Sequence, residues 1–277
     1  MDASRWRGVG SVTFVGLVAC ALAIAVPVQG QARWERSDEG WCEREWGGRD
    51  QDRFCEVRTT TVAATGRIAV DAGTNGGVEV QGWDRDEVEV RARVWANARS
   101  EERAREIAEA VTLRVESGRI VADGPDTGRR EGWGVSYRIS VPHRTDLQIE
   151  THNGGVDVAD VTGDIRFDAT NGGVHLVGVA GDVRGRTTNG GLHVELQGDR
   201  WEGAGLDAET TNGGVRLYVP SDYSAQLVTE TVNGGIDIDF PVTVRGRIGR
   251  RLETTLGEGG PTIRVVTTNG RVRIERR

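Results

Sequence analysis

The chain has no lysine: all 35 of its basic side chains, in 277 residues, are arginine. That absence removes Schiff-base chemistry, the phosphate-loop lysine and lysine general bases together. Aromatic residues are scarce at 5%, hydrophobic residues reach only 37%, and there are 40 glycines. Such a composition cannot fill a thick globular core, but it can fill a thin interior with Val, Ile, Leu and Thr. A basic excess is also missing. The net charge of −7 excludes the usual nucleic-acid binder, which needs a basic face, and favours a soluble, mutually repelling particle. No Gly-x-Ser-x-Gly elbow for a serine nucleophile occurs. The cysteines number three, too few for a structural zinc site of the four-cysteine kind.

The chain opens with an export signal. Arg5 and Arg7 precede an apolar run from Val9 to Val28, followed by Gln29, Gly30, Gln31 and Ala32. A positive start, an apolar middle and a small-residue exit describe a secretory signal peptide, here 1–32 with cleavage after Ala32. The apolar run approaches the roughly 20 residues that span a bilayer, so an uncleaved anchor is an alternative. Lipidation at Cys20, in Leu17-Val18-Ala19-Cys20, is another. All three place the remainder outside the cytoplasm, periplasmic or at the cell surface. Beyond the signal only Cys42 and Cys55 remain, and an even pair in an exported chain reads as a disulfide. It closes a charged segment bearing Trp41 and Trp46. Residues 33–60 are expected to be an irregular, disulfide-closed N-terminal segment, and 61–277 one repeat domain.

The dominant feature is Asn-Gly-Gly followed by an aliphatic residue, beginning at Asn75, Asn153, Asn171, Asn189, Asn212 and Asn233, with a truncated Asn-Gly-Arg-Val at Asn269. From Asn153 the intervals are 18, 18, 23, 21 and 36 residues. A period near 20 residues means stacked copies of one supersecondary unit. The predicted fold is therefore all-β, a single-stranded β-solenoid with one short embedded helix. Small or apolar residues fall two, four and six positions before the Asn, as in Leu147, Ile149 and Thr151, and resume after it at Val156 and Val158. This period of two puts one face inside and one in water. Asn and Gly tolerate the left-handed region, which is the expected reason for the turn, and stacked Asn amides could bond coil to coil. A second corner is expected at Thr162-Gly-Asp164, Ala180-Gly-Asp182 and Gln197-Gly-Asp199. The first copy is one residue out of register: Ile68 and Val70 lie seven and five before Asn75, so a bulge or a different pairing is required. Ser100 to Val111 reads as the helix, capped by Ser100 and suited to shield one end of the stack. The charged end from Arg271 to Arg277 reads as a last strand that blunts edge-to-edge association.

The Gly82–Val88 stretch followed by the helix, the Val135–Pro142 strand, and the closing Leu256-Gly-Glu-Gly-Gly-Pro-Thr-Ile with Thr-Thr-Asn-Gly-Arg-Val resemble the bacterial "putative adhesin" family. These are domains of unknown function made of Asn-Gly-Gly strand repeats, and the resemblance covers roughly 60–275. It implies a β-helical, exported, envelope-associated protein and brings no catalytic residues with it.

Candidate chemistry is confined to two columns. His175 and His193 occupy equivalent outward positions in consecutive coils, with Asp157 one coil earlier. An Asp-His-His ladder could hold a metal, but the column continues with Arg216 and Asp237 and reads equally as a solvated face. Asp164, Asp182 and Asp199 could serve a polysaccharide-cleaving enzyme if one carboxyl were raised, yet each follows a turn glycine, where Asp is favoured for local bonding. The nonapeptide calcium repeat is excluded by its missing Gly and Asp positions. Arg245, Arg247, Arg250 and Arg251 form a local basic patch suited to anionic lipid or polymer, or to plain solvation. The expectation is an exported, non-enzymatic envelope protein, an adhesin or interaction module, without cofactors. Its partners would be envelope polysaccharide or another envelope protein, with membrane contact only through the N-terminal segment or Cys20. A polysaccharide-active enzyme and a structural envelope-stress component are the alternatives.

Overall fold

The computed structural model describes residues 32–37, 40–42, 52–241 and 249–277; the expectations for the export segment, Cys20, Trp46, Arg245 and Arg247 lie outside the described residues. Residues 31–277 form one compact unit, all-β with one helix and open sheets. The N-terminal half holds β1 (Glu35–Ser37), β2 (Asp52–Ala63), β3 (Arg67–Asp71), β4 (Val78–Trp83), β5 (Glu87–Ala98), α1 (Glu101–Glu109), β6 (Thr112–Glu116), β7 (Arg119–Asp123) and β8 (Gly132–Pro142). Regular coils follow, each a strand before and a strand after the Asn-Gly-Gly corner. They are β9 (Asp146–Asn153) with β10 (Val156–Ala159), β11 (Thr162–Asn171) with β12 (Val174–Val177), and β13 (Ala180–Asn189) with β14 (Leu192–Glu195). Next come β15 (Gly205–Asn212) with β16 (Val215–Val219), β17 (Ala225–Asn233) with β18 (Ile236–Ile238), the lone β19 (Arg251–Leu256), and β20 (Thr262–Asn269) with β21 (Val272–Arg276).

Pre-corner strands build one sheet and post-corner strands the other. Their orders are β19-β17-β20-β15-β13-β11-β9-β3-β7-β6 and β1-β2-β5-β8-β4-β10-β12-β14-β16-β21-β18. The alternating pattern explains the packing: Leu147, Ile165, Val183, Leu206, Leu227 and Ile263 are all buried, as are Val156, Val174, Leu192 and Val215. They belong to one continuous core between the sheets. Gly185 leaves room beneath its neighbour, since a Cβ there would stand 2.4 Å from the Phe167 ring. Phe167 fills the space of two ordinary side chains.

The first coil carries the bulge its sequence requires. Ile68 pairs with Leu147 and Asp71 with Glu150, and Asn75 still meets Asn153. The extra residue is absorbed at Gly73, whose φ of 64° is left-handed.

Four expectations need correction. Among the described residues of 33–60, part is regular: β1 pairs with β2, and β2 runs for 12 residues and pairs with β5 along its whole length. The run Val57-Arg-Thr-Thr-Thr-Val62 is β-branched enough to have signalled this, but the charged residues around it hid the pattern. The coil order is not sequential either. β20 lies between β15 and β17, and β21 between β16 and β18. After β18 the chain returns as β19, antiparallel outside β17, and only then inserts the last coil. The charged β21 is consequently an interior strand, and the ends of the sheets there are β18 and β19. The second corner precedes the Gly-Asp pairs in two coils: Asp164 and Asp182 already lie in β11 and β13. The positive-φ residues there are Asp160 (φ 57°) and Gly178 (φ 59°), with Gly181 (φ 106°) in the second of the two coils. Finally, no Asn or Gly of the described Asn-Gly-Gly corners has a positive φ, so conformational freedom does not explain that motif.

α1 packs against β2 and β5 and lies between β5 of one sheet and β6 of the other in the chain. Ser100 caps it by accepting from the Arg103 N–H at 3.2 Å, and Ala104, Ile107 and Ala108 join the core. At its other end Arg58 of β2 donates to the carbonyls of Val111 and Ala108 at 2.6 and 2.8 Å, tying the helix C-terminus to that strand.

Candidate functional site

The Asn-Gly-Gly corners form a closed set of contacts. Each Asn donates its side-chain N–H to the side-chain oxygen of its neighbour: Asn153 to Asn75 at 3.2 Å, Asn171 to Asn153 at 2.9 Å, Asn189 to Asn171 at 2.8 Å, and Asn212 to Asn189 at 2.9 Å. The order then follows space rather than sequence, with Asn269 donating to Asn212 at 2.8 Å and Asn233 to Asn269 at 2.7 Å. A Cβ built on the first glycine, at Gly154, Gly172, Gly190, Gly213, Gly234 or Gly270, would stand 1.9–2.1 Å from the first-glycine oxygen of the adjacent coil. Close approach of backbones therefore dictates that glycine. The second position is roomier, 3.2–3.5 Å at Gly155, Gly173 and Gly191, and in the last copy it is Arg271. A third element was missed in the sequence. Buried Thr151, Thr187, Thr210, Thr267 and Thr231 donate their hydroxyls at 2.6–2.8 Å to the first-glycine carbonyl of the adjacent coil. Their signal was a hydroxyl at an inward position, where an aliphatic residue would otherwise serve.

The post-corner sheet presents the histidine column. Glu79, Asp157, His175, His193, Arg216, Arg273 and Asp237 stand side by side in register. Asp157, His175, His193, Arg216 and Arg273 of this row line an open groove of about 650 Å³. His175 Nδ1 lies 3.5 Å from an Asp157 carboxylate oxygen, and the two imidazoles meet edge to face with centroids 4.4 Å apart. The residue the sequence did not single out is Glu195, two positions after His193 on the same outward face. Its Oε1 is 3.0 Å from His193 Nε2 and 3.7 Å from His175 Nε2. Arg277 pairs with the same carboxylate and covers the Tyr218 ring at 4.7 Å. Burial pushes the Glu195 carboxyl up, but the His193 bond and the charges of Arg277, His193 and His175 outweigh it and hold the group below its ordinary range. Asp157 moves the other way: burial raises it, His175 opposes, and Glu79 adds to the rise. At the far end of the column Arg138 pairs with Glu79 at 2.9 Å. Trp41 lies under Arg138 and Arg93, with the guanidinium carbons 4.3 and 5.1 Å from its ring. The Cys42–Cys55 disulfide, Cα–Cα 5.7 Å, ties that tryptophan to β2.

The Asp row does not converge. Asp164 and Asp182 are neighbours across β11 and β13, but Arg166 pairs with both, at 2.7 and 3.3 Å, and Arg184 with Asp182 at 3.0 Å. Asp199 lies apart in the loop after β14, against Arg200. Each of these carboxylates faces an arginine, and the three do not gather into one cluster. Of the basic patch, Arg251 pairs with Glu230 and Glu253 at 3.7 and 3.6 Å. Among the described residues no helix is long and apolar enough to cross a membrane.

Fold and column together define an all-β repeat protein whose corners are stacked by amides and whose outward residues align in rows. Residues 66–275 match the model of the Toastrack DUF4097 family, and the chain belongs to that family. The resemblance drawn from its repeats thus holds over nearly the same stretch. Two solved structures are similar. One, described as a putative cell adhesion protein from Clostridium sporogenes ATCC 15579, shares 12% identity at a TM-score of 0.42, over 82% of this chain and 100% of that one. The other, a putative adhesin from Bacteroides fragilis NCTC 9343, shares 12% identity at a TM-score of 0.31, over 81% of this chain and 97% of that one. No curated protein matches.

Proposed function

We propose that the protein is an exported, non-enzymatic module of the cell envelope that binds an elongated, repetitive polymer, with envelope polysaccharide as the partner class. It acts as a single-stranded β-solenoid whose corner is the Asn-Gly-Gly motif. The observation that carries this reading is the in-register outward column from Glu79 to Arg273. Parallel strands repeat every ~4.8 Å, so equivalent side chains offer a straight row of polar groups to a polymer lying across the strands. The groove is open and lined on one side by Arg216, Arg271 and Arg273, which suits anionic repeats. Export is supported by the Cys42–Cys55 bridge, a bond that persists in oxidising compartments.

The test is co-sedimentation of the purified protein with isolated envelope polysaccharides, followed by assay of the supernatant for new reducing ends. Binding without new ends is expected, with loss of binding in Arg216→Glu/Arg273→Glu. New reducing ends would replace this reading with that of a polysaccharide-active enzyme. Absence of any polysaccharide binding, with crosslinking to an envelope protein instead, would overturn the polymer assignment.

A further inference from the structure

We infer that His175, His193 and Glu195 form a binding site for a divalent transition-metal ion such as zinc on the outer face of the post-corner sheet. One ligand atom from each of the three lies within 4.8 Å of the others. Tetrahedral zinc with bonds of about 2.0–2.1 Å sets its ligand atoms about 3.3–3.4 Å apart. The separations of Glu195 Oε1 from the two Nε2 atoms, 3.0 and 3.7 Å, bracket that value. A second observation points the same way. Although the His175 side chain is 43% exposed, its Nε2 is buried and has no hydrogen-bond partner. Such an atom loses its hydration without a direct replacement, and an ion at the centre of the triangle would supply one. On the other side of the same ring, Asp157 faces Nδ1 at 3.5 Å. A carboxylate there is the usual device for fixing the tautomer that presents a lone pair at Nε2.

Strand spacing produces the arrangement. His175 and His193 are register partners in β12 and β14, which brings the two imidazoles to one strand spacing. Glu195 is two residues along β14 on the same face. Two neutral nitrogens and one carboxylate suit zinc, cobalt or nickel better than calcium or magnesium, which prefer all-oxygen sets. Three protein ligands leave at least one position open, toward a groove whose lining includes Arg216 and Arg273. This inference does not depend on the polymer assignment, because it is measured on the protein alone.

The experiment is calorimetric titration of zinc chloride into the full chain, purified with its disulfide formed and stripped by a chelator. It is repeated with cobalt chloride while visible absorption is recorded. One saturable ion per chain is expected, with the intense cobalt bands of four-coordinate geometry. His193→Ala and the isosteric Glu195→Gln should each weaken affinity more than about tenfold, and Asp157→Asn by about tenfold. His152→Ala, outside the cluster, should leave it unchanged. Circular dichroism identifies any variant that has lost its fold; Glu195→Gln, which keeps shape and volume, then decides. No saturable binding to the wild type, or equal affinity in wild type and folded Glu195→Gln, overturns the site.

Discussion

At the residue scale, the Asn-Gly-Gly motif holds three residues under three different constraints. The Asn is selected for an amide that can both donate and accept. The first glycine is selected because a neighbouring carbonyl occupies the space of its Cβ. The second is under a looser constraint, with its nearest atom at 3.4 Å at Gly173, and the last copy accepts Arg271 there. This separation gives a paired prediction. Gly172→Ala places a Cβ 1.9 Å from the Gly154 oxygen and should cost more than about 3 kcal/mol, beyond the usual range of overpacking. Gly173→Ala meets its nearest atom at 3.4 Å. It should be between neutral and about 1 kcal/mol stabilising, because alanine restricts the unfolded chain. Urea midpoints of the two variants decide; similar losses would contradict the close-approach account.

At the element scale, a coil is held to its neighbours by strand pairing, by the amide rung and, in most coils, by the threonine hydroxyl. Removing the amides of Asn171 and Asn189 together deletes the three side-chain bonds in which they take part. At about 0.5–1.5 kcal/mol net for each bond, and toward the low end because the rungs are exposed, the double Ala variant should lose about 2–3 kcal/mol. Chemical denaturation measures it, and a wild-type midpoint would show that the ladder is ornamental. The elements themselves were well marked: β3 and β6 begin and end where alternation says they should. β2 escaped because its first half, Asp52–Glu56, is charged and carries Cys55, so its short β-branched run had no partner in view until β5 was placed beside it.

At the scale of the whole molecule, the last coil is a keystone. β20 is paired on both sides, with β15 and β17, and β21 with β16 and β18. Deleting residues 262–277 should therefore do more than trim an end. It removes the parallel partner of Leu227 and Thr229 and uncovers Leu206 and Ala208. The expected result is loss of hydrogen-exchange protection in β15 as well as β17. Retained protection at Val228, whose N–H faces β20 in alternation with that of Gln226, would mean that β17 and β18 stack directly on the preceding coil, and that the insertion is dispensable.

The candidate site divides along the same line. The alignment of Asp157, His175 and His193 was legible because equal spacing from an Asn guarantees equal height in a coil, whatever the coil order. Glu195 was legible in principle by its alternation with His193, but nothing local says that its carboxylate folds back over two imidazoles. The sequence by itself determined the two faces, the Asn-Gly-Gly corners and the register of 153–212, since each follows from a period of two and an interval near 20 residues. Only the tertiary structure decided which coil lies beside which at the C-terminal end. Hydrophobic alternation states that a strand needs neighbours, and every coil offers the same row of donors and acceptors. With β19 antiparallel along the outer side of β17, the last coil lies between β15 and β17, a placement that alternation alone does not specify.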